Sequence, residues 1–350
     1  MKLLMVSSMK FFVALLLAAA VLGQDAQFEA QSRLVMLPVM VTDNKGRPVE
    51  GLEEGDFLVL DNGRKQKVVV DTFGTGVAPI ALVIAVQSSG ISAPVLDKVR
   101  EIAAMVQPLI TGERGCAAVV GFSEEVNWLQ ECTSDHTLIT RALTRITTGE
   151  PKSARMLDAA MEAIEKLKQR PRSRRVLLLI SETRDRGSEA ALEAVTVAAQ
   201  TASVTVYGAP YSAFMTAFTE RSRTNSERDN PQAPRKPTAN PESPEGRERV
   251  PVPPPSQRVD ILGGFEELGR LKDPKTVEIL ATATGGALFG FTKKSGLEDA
   301  IGKLADELNS QYVLSFTPEM AAPGYHRLEV RLNRPGKFKL RARPGYWPVQ

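Results

Sequence analysis

The stretch Ile80-Ala81-Leu82-Val83-Ile84-Ala85-Val86-Gln87-Ser88-Ser89-Gly90 constrains the fold most. It is a continuous apolar run that stops abruptly in small hydroxyl residues and a glycine. Seven apolar residues without alternation fit a strand buried on both faces, as in a parallel sheet covered by helices. In an open α/β sheet, ligands bind beyond the carboxyl ends of such strands. The residues at that end here are Gln, Ser, Ser, Gly and Ile, with no carboxylate among them.

The rest of the chain repeats the pattern. Val176–Ile180 and Val204–Tyr207 are two more apolar runs, and Ala287 to Phe291 is a fourth strand candidate. Helix-period apolar positions lie between them: Val95, Val99, Ile102, Val106 and Leu109; Leu138, Ala142, Leu143 and Ile146; Leu157, Ala160, Ile164 and Leu167; Leu192, Val195 and Ala199; and Leu297, Ile301, Leu304 and Leu308. This alternation predicts a doubly wound, mostly parallel α/β sheet, Rossmann-like.

Antiparallel β segments flank it. Val35, Leu37, Val39 and Val41 alternate with other residues; Phe57–Leu60 is followed by the hairpin turn Asp61-Asn62-Gly63, with Val68-Val69-Val70 as the expected return. Tyr312–Phe316, Arg327–Leu332 and Lys337–Arg343 end the chain as strands separated by Pro-Gly turns. The expected layout is a β module over 24–75, an α/β domain over 76–311 and a β segment over 312–350. The two flanking segments are candidates for one β-sandwich. Residues 219–258 are rich in Pro, Arg, Glu and Ser, and predict a disordered insertion.

Residues 1–23 combine Lys2, Lys10 and an apolar core from Phe11 to Leu22, as in a secretory signal peptide. That core is short for a membrane span of about 20 residues. The expectation is an exported chain, periplasmic or extracellular, with no membrane span after cleavage. The remainder carries 42 basic and 41 acidic residues, which gives no footprint for nucleic acid. Arg170 to Arg175 is the densest basic stretch, expected as a solvated loop. Export permits a disulfide between Cys116 and Cys132. They lie opposite each other if Ser123 to Glu125 turn a hairpin, because Phe122 and Val126 are centred on the same Glu124. A register slip of one residue would separate them onto opposite faces and leave two free thiols.

Catalysis finds little support. His136 and His326 are the two histidines. The first follows Thr133-Ser134-Asp135, a helix-start sequence, and the second sits near a C-terminal turn. No phosphate loop and no zinc-like spacing is present. The chain is expected not to be an enzyme.

These residues together resemble a von Willebrand factor A-type domain, and in particular the von Willebrand-related domain family described from Acidobacteria. The resemblance rests on Val39-Met40-Val41-Thr42-Asp43, Gly51-Leu52 and Asp56-Phe57. It continues in Gln311-Tyr312-Val313-Leu314-Ser315-Phe316-Thr317-Pro318 and in Arg341-Ala342-Arg343-Pro344-Gly345-Tyr346. It implies a metal-ion-dependent adhesion site whose first motif is Asp-x-Ser-x-Ser. The matching positions are Gln87, Ser89 and Ile91, with Ser92 one place late. A Thr is implied four residues before Asp158-Ala159, where this chain has Ala154 beside Ser153. The third implied acid, an Asp, is replaced in Ser181-Glu182-Thr183. Hard-cation affinity follows ligand charge, so the altered set implies a degenerate site and no cofactor.

The expectation is an exported, non-catalytic protein-binding or adhesion module. It would use the carboxyl edge of the sheet without a bound metal, through Gln87, Ser88, Ser89, Ile91, Ser92, Ser153, Ala154, Arg155, Glu182 and Asp185. Arg155, Arg184 and Arg186 would supply positive charge in place of a cation. Two alternatives stay open. One is metal-dependent adhesion, with Mg²⁺ or Mn²⁺ held by Ser89 and Glu182 and helped by Asp185. The other is a structural scaffold in an envelope assembly.

Overall fold

The computed structural model describes residues 34–71, 78–89, 93–148, 153–211, 275–291, 294–318 and 323–348. The signal peptide and proline-rich insertion expected from sequence lie outside the described residues, as do Ile91 and Ser92.

Strand β5 (Ile80–Gln87) is buried at every position, which is why it has no polar face. It pairs in parallel with β6 (Cys116–Phe122) on one side and β8 (Arg174–Ile180) on the other; β9 (Val204–Gly208) extends the parallel run. β7 (Val126–Thr133) adds an antiparallel edge, so the order is β7-β6-β5-β8-β9. Even-numbered residues of β5, Leu82, Ile84 and Val86, face α1 (Ala93–Glu101), α2 (Ala103–Val106), α3 (His136–Thr144) and α7 (Lys294–Ser310). Odd-numbered residues Ala81, Val83 and Ala85 face α4 (Met156–Lys168), α5 (Leu192–Thr201) and α6 (Thr276–Thr284). The chain winds outward from β5 in both directions, so the carboxyl end of β5 is the topological switch point.

Two sheets of four strands make up the rest. One has the order β12-β1-β10-β4, with β1 (Val35–Asp43), β4 (Val69–Asp71), β10 (Tyr312–Phe316) and β12 (Phe338–Arg341). The other has the order β13-β11-β2-β3, with β2 (Phe57–Asp61), β3 (Arg64–Gln66), β11 (His326–Leu332) and β13 (Gly345–Tyr346). Both mix strands from the two ends of the chain. Leu37, Val39, Phe57, Val59, Leu314, Phe316 and Leu328 fill one core between them. The flanking segments therefore form one β-sandwich. Tyr312 closes its side: its hydroxyl donates to Val49 O at 2.9 Å and accepts from Leu52 N at 3.1 Å.

Several local expectations need correction. The Asp61-Asn62-Gly63 turn is present, with both Asn62 (φ 47) and Gly63 (φ 80) left-handed, but its returning strand is Arg64–Gln66. Val69 and Val70 instead cross to the other sheet and pair with β10; β3 is a largely exposed edge strand, whereas Val68 is buried in the sandwich core. Ala287 to Phe291 is not a strand; it contributes a single parallel bridge between Gly208 and Leu288. The helix expected through Leu109 breaks after Glu101 and ends in a π-type turn over Gln107–Thr111. Arg174 and Arg175 belong to β8, and Arg174 is only 7% exposed, so that part of the basic stretch is not a solvated loop.

The β6–β7 hairpin begins in the expected register, Phe122 opposite Val126. Two irregularities then shift it, and Ala117 pairs with Thr133. Together the shifts displace the pairing by two residues. An even displacement keeps Cys116 and Cys132 on one face, and they form a disulfide with a Cα–Cα distance of 5.3 Å.

Candidate functional site

The carboxyl edge is assembled from the ends of β5, β6 and β8. At the end of β5, Gln87 is 1% exposed and Ser89 is fully buried. The Gln87 amide nitrogen donates to Ser89 Oγ at 2.8 Å, and its carbonyl oxygen accepts from Glu182 N at 2.9 Å. One neutral side chain thus ties the end of β5 to the loop after β8. Ser88 N donates to Phe122 O at 2.8 Å, which binds the same segment to β6.

The loop after β8 is held against α4. Ala154 and Arg186 exchange backbone hydrogen bonds of 2.8 and 3.0 Å, an isolated antiparallel bridge. Arg155 stands at the N-cap position of α4 without a side-chain cap of its own. The cap comes from the loop: Leu157 N donates to Asp185 Oδ1 at 3.0 Å, and Leu157 N and Asp158 N donate to Ser188 Oγ at 3.1 and 3.2 Å. Ser188 Oγ donates in turn to Asp185 Oδ1 at 2.6 Å. A carboxylate at a helix N-terminus is electrostatically favoured. Asp158 returns the arrangement from α4, accepting from Glu189 N at 3.1 Å and Ala190 N at 2.8 Å.

Charge at this edge is internally paired. Arg155 Nε donates to Asp158 at 2.6 Å, and its Nη2 lies 3.1 Å from Glu189. Arg186 pairs with Glu182. Burial opposes ionisation of Asp158, but the N–H donors of Ala190, Arg155 and Glu189 outweigh it and hold its carboxyl below the usual range. The same bond to Asp158 raises the affinity of Arg155 for its proton.

The structure therefore brings Gln87, Ser88, Ser89, Ser153, Ala154, Arg155, Glu182 and Asp185 to one edge. Gln87, Ser89, Arg155, Glu182 and Asp185 bond to one another or to neighbouring elements there. Ser188 and Glu189 went unnoticed; Ser188 caps a helix about 30 residues earlier in the chain, a relation no local pattern carries. Among the described residues, the oxygens at this edge are already engaged within the protein. The Gln87 carbonyl is neutral and occupied, Ser89 Oγ accepts from Gln87, Glu182 is paired with Arg186, and Asp185 is spent on α4. No three His, Cys, Asp or Glu side chains gather as a metal site among the described residues.

No protein-family model matches the chain, and no curated protein is similar to it. Solved structures with a related shape include the conserved hypothetical protein BatB from Bacteroides thetaiotaomicron. It is 13% identical, with a TM-score of 0.39 over 65% of this chain and 98% of that one. Proximal thread matrix protein 1 from the mussel byssus is 10% identical, with a TM-score of 0.40 over 70% and 49%. The SpRpn10 VWA domain is 13% identical, with a TM-score of 0.30 over 39% and 79%. Likenesses this distant carry nothing to the site. The doubly wound class rests on the sheet order itself.

Proposed function

We propose that this protein is an exported, non-catalytic binding module that engages a protein partner through the carboxyl edge of its α/β sheet, without a bridging metal. The observation that carries the reading is the Gln87 amide. Both its polar ends are spent within the protein, which supports an edge held by hydrogen bonds rather than by a cation. The groups left facing outward are the ion pairs Arg155–Glu189 and Arg186–Glu182, with Arg155 29% and Arg186 41% exposed. A partner carboxylate can exchange with Glu189 or Glu182 on these guanidinium groups, which favour planar, two-point recognition of carboxylates.

Export is supported by the apolar leader and by the Cys116–Cys132 disulfide, a bond that persists in oxidising compartments. No helix among the described residues is long and apolar enough to cross a membrane.

The test compares capture of envelope proteins by the mature chain and by an Arg155→Glu, Arg186→Glu variant, each with excess chelator. The expected result is a partner retained by the wild type in chelator and lost by the variant. Capture indifferent to the double substitution would remove the carboxyl edge from consideration. Capture abolished by chelator and restored by Mg²⁺ or Mn²⁺ would instead establish metal-dependent adhesion.

A further inference from the structure

A cavity of about 470 Å³ opens at the opposite, amino edge of the sheet, beneath the ends of β5 and β8. That volume lies within the range of small-molecule sites. Ile80, Ile110, Thr111 and Arg174 line its buried part; Leu109, Glu113 and Arg114 stand at the exposed rim. Three independent features converge on it.

The first is Arg174. It is 7% exposed, yet both its hydrogen-bonded acceptors are neutral: Nη1 donates to Leu308 O at 2.8 Å and Nη2 to Gln311 Oε1 at 2.9 Å. No carboxylate pairs with it among the described residues. Leu308 lies in the last turn of α7, whose partial negative charge orients the guanidinium but does not match a full unit. Burial accordingly lowers the pKa of Arg174. A buried, unpaired charge is costly.

The second is Thr111, 6% exposed, whose hydroxyl is buried with no hydrogen-bond partner. Such groups are rare and call for an explanation. The third is the turn that carries it. Gly112 N donates to Gln107 O at 2.8 Å, a π-type bond, and π turns occur frequently at functional sites. The turn is anchored at Gly115, where a Cβ would come within 2.4 Å of Thr111 O and 2.5 Å of Ile80 O.

We propose that this cavity binds a small organic monoanion, a carboxylate with a short aliphatic tail, its charge on Arg174 and the Thr111 hydroxyl and its tail along Ile80, Ile110 and Leu109. The rim charges of Glu113 and Arg114 are opposite, so Arg174 sets the sign and a single negative charge balances it. The apolar wall selects a carbon chain over a bare anion. This site is separate from the carboxyl edge and does not depend on the binding role proposed there.

The test titrates the ¹⁵N-labelled mature chain with sodium hexanoate, using hexanol as the uncharged probe and inorganic phosphate as the bare anion. Hexanoate is expected to shift the amides of Thr111, Gly112 and Arg174 saturably. Hexanol and phosphate should each bind at least about tenfold more weakly, the scale of one charge-assisted hydrogen bond. Arg174→Gln should cost a similar factor. Because Arg174 also holds α7, two milder variants decide the matter if that chain fails to fold. Thr111→Val preserves shape, and Leu109→Asp places a negative charge on an exposed rim position. Both should weaken hexanoate. Absence of saturable shifts, hexanoate binding unaffected by both variants, or equal binding of hexanol or phosphate would each overturn the proposal.

Discussion

At the carboxyl edge a single amide connects two strands, and its removal has a definite cost. Gln87→Ala leaves the Glu182 N–H and Ser89 without their partners in a buried place. A buried group left unsatisfied costs about 1–3 kcal/mol, so the urea midpoint of the variant should fall by that equivalent with an unchanged slope. Asp158 offers a test with a pH signature. Its carboxyl is held below the usual range in the folded state. Its stabilisation is therefore complete above the unfolded-state pKa of about 3.9, and is lost as pH falls through the folded value. Asp158→Asn is expected to cost ~1 kcal/mol at pH 7, in the range of a lost cap. The gap seen at pH 7 should narrow at an acid pH below that unfolded-state value, as pH falls through the lowered folded one. A gap of the same size at both pH values would mean that packing, not charge, makes Asp158 valuable. The bond of Asp158 to Arg155 is local, but its backbone donors Glu189 and Ala190 lie 31 and 32 residues on and leave no local pattern in the sequence. Gln87 was legible as a departure from an acidic motif, but not as a brace, because its acceptor-bound partner Glu182 lies 95 residues away.

Among the elements, the β6–β7 hairpin and α4 show two kinds of non-local support. The Cys116–Cys132 bridge spans 16 residues. Closing a loop of that size stabilises by about 3 kcal/mol in the chain-entropy account. A Cys116→Ser, Cys132→Ser chain should lose about that much in chemical denaturation. The reduced wild type should match it; a reduced chain as stable as the oxidised one would place the stability of the hairpin in packing alone. The hairpin was legible from its turn at Ser123 to Glu125 and from the centring of Phe122 and Val126 on Glu124. The two register irregularities were not, since β7 is only partly buried and no strict alternation announces where an extra residue sits. The first turn of α4 is capped by Asp185 and Ser188 from the loop after β8, so its start could not be read from its own Arg155.

For the whole molecule, β1 lies between β12 and β10, and β2 lies between β3 and β11. The sandwich has no independent half. Deleting residues 24–75 takes away every neighbour of β10 and β12 and leaves β11 paired only with the two-residue β13, and it exposes Leu314, Phe316 and Leu328. The remaining strands are expected to lose amide protection in hydrogen exchange, while β5, β6 and β8 keep theirs. Such a deletion therefore does not isolate the α/β edge as a binder with the C-terminal strands intact. Protection retained in Tyr312–Phe316 after the deletion would contradict this reciprocal dependence. The two bodies are also tied directly. Arg341 pairs with Glu307 and donates to Gly285 O at 3.0 Å, and the buried Arg343 donates to Gln200 O at 3.1 Å and to Met36 O at 2.9 Å.

The sequence by itself determined the class of the fold. An apolar run with no polar face has to be covered on both sides, and helix-period segments between such runs supply the cover. It also determined the alternating faces of the flanking strands, because a period of two admits one buried side. Tertiary structure alone decided how the two chain ends interleave, since an alternating strand specifies which face it buries but not which partner it pairs with. It alone decided that Val69 and Val70 leave their hairpin for the other sheet, that Arg174 is buried beside a cavity, and that the polar side chains of the carboxyl edge are spent on one another. Each outcome depends on contacts between residues distant in the chain, whose geometry exists only after the sheets have packed.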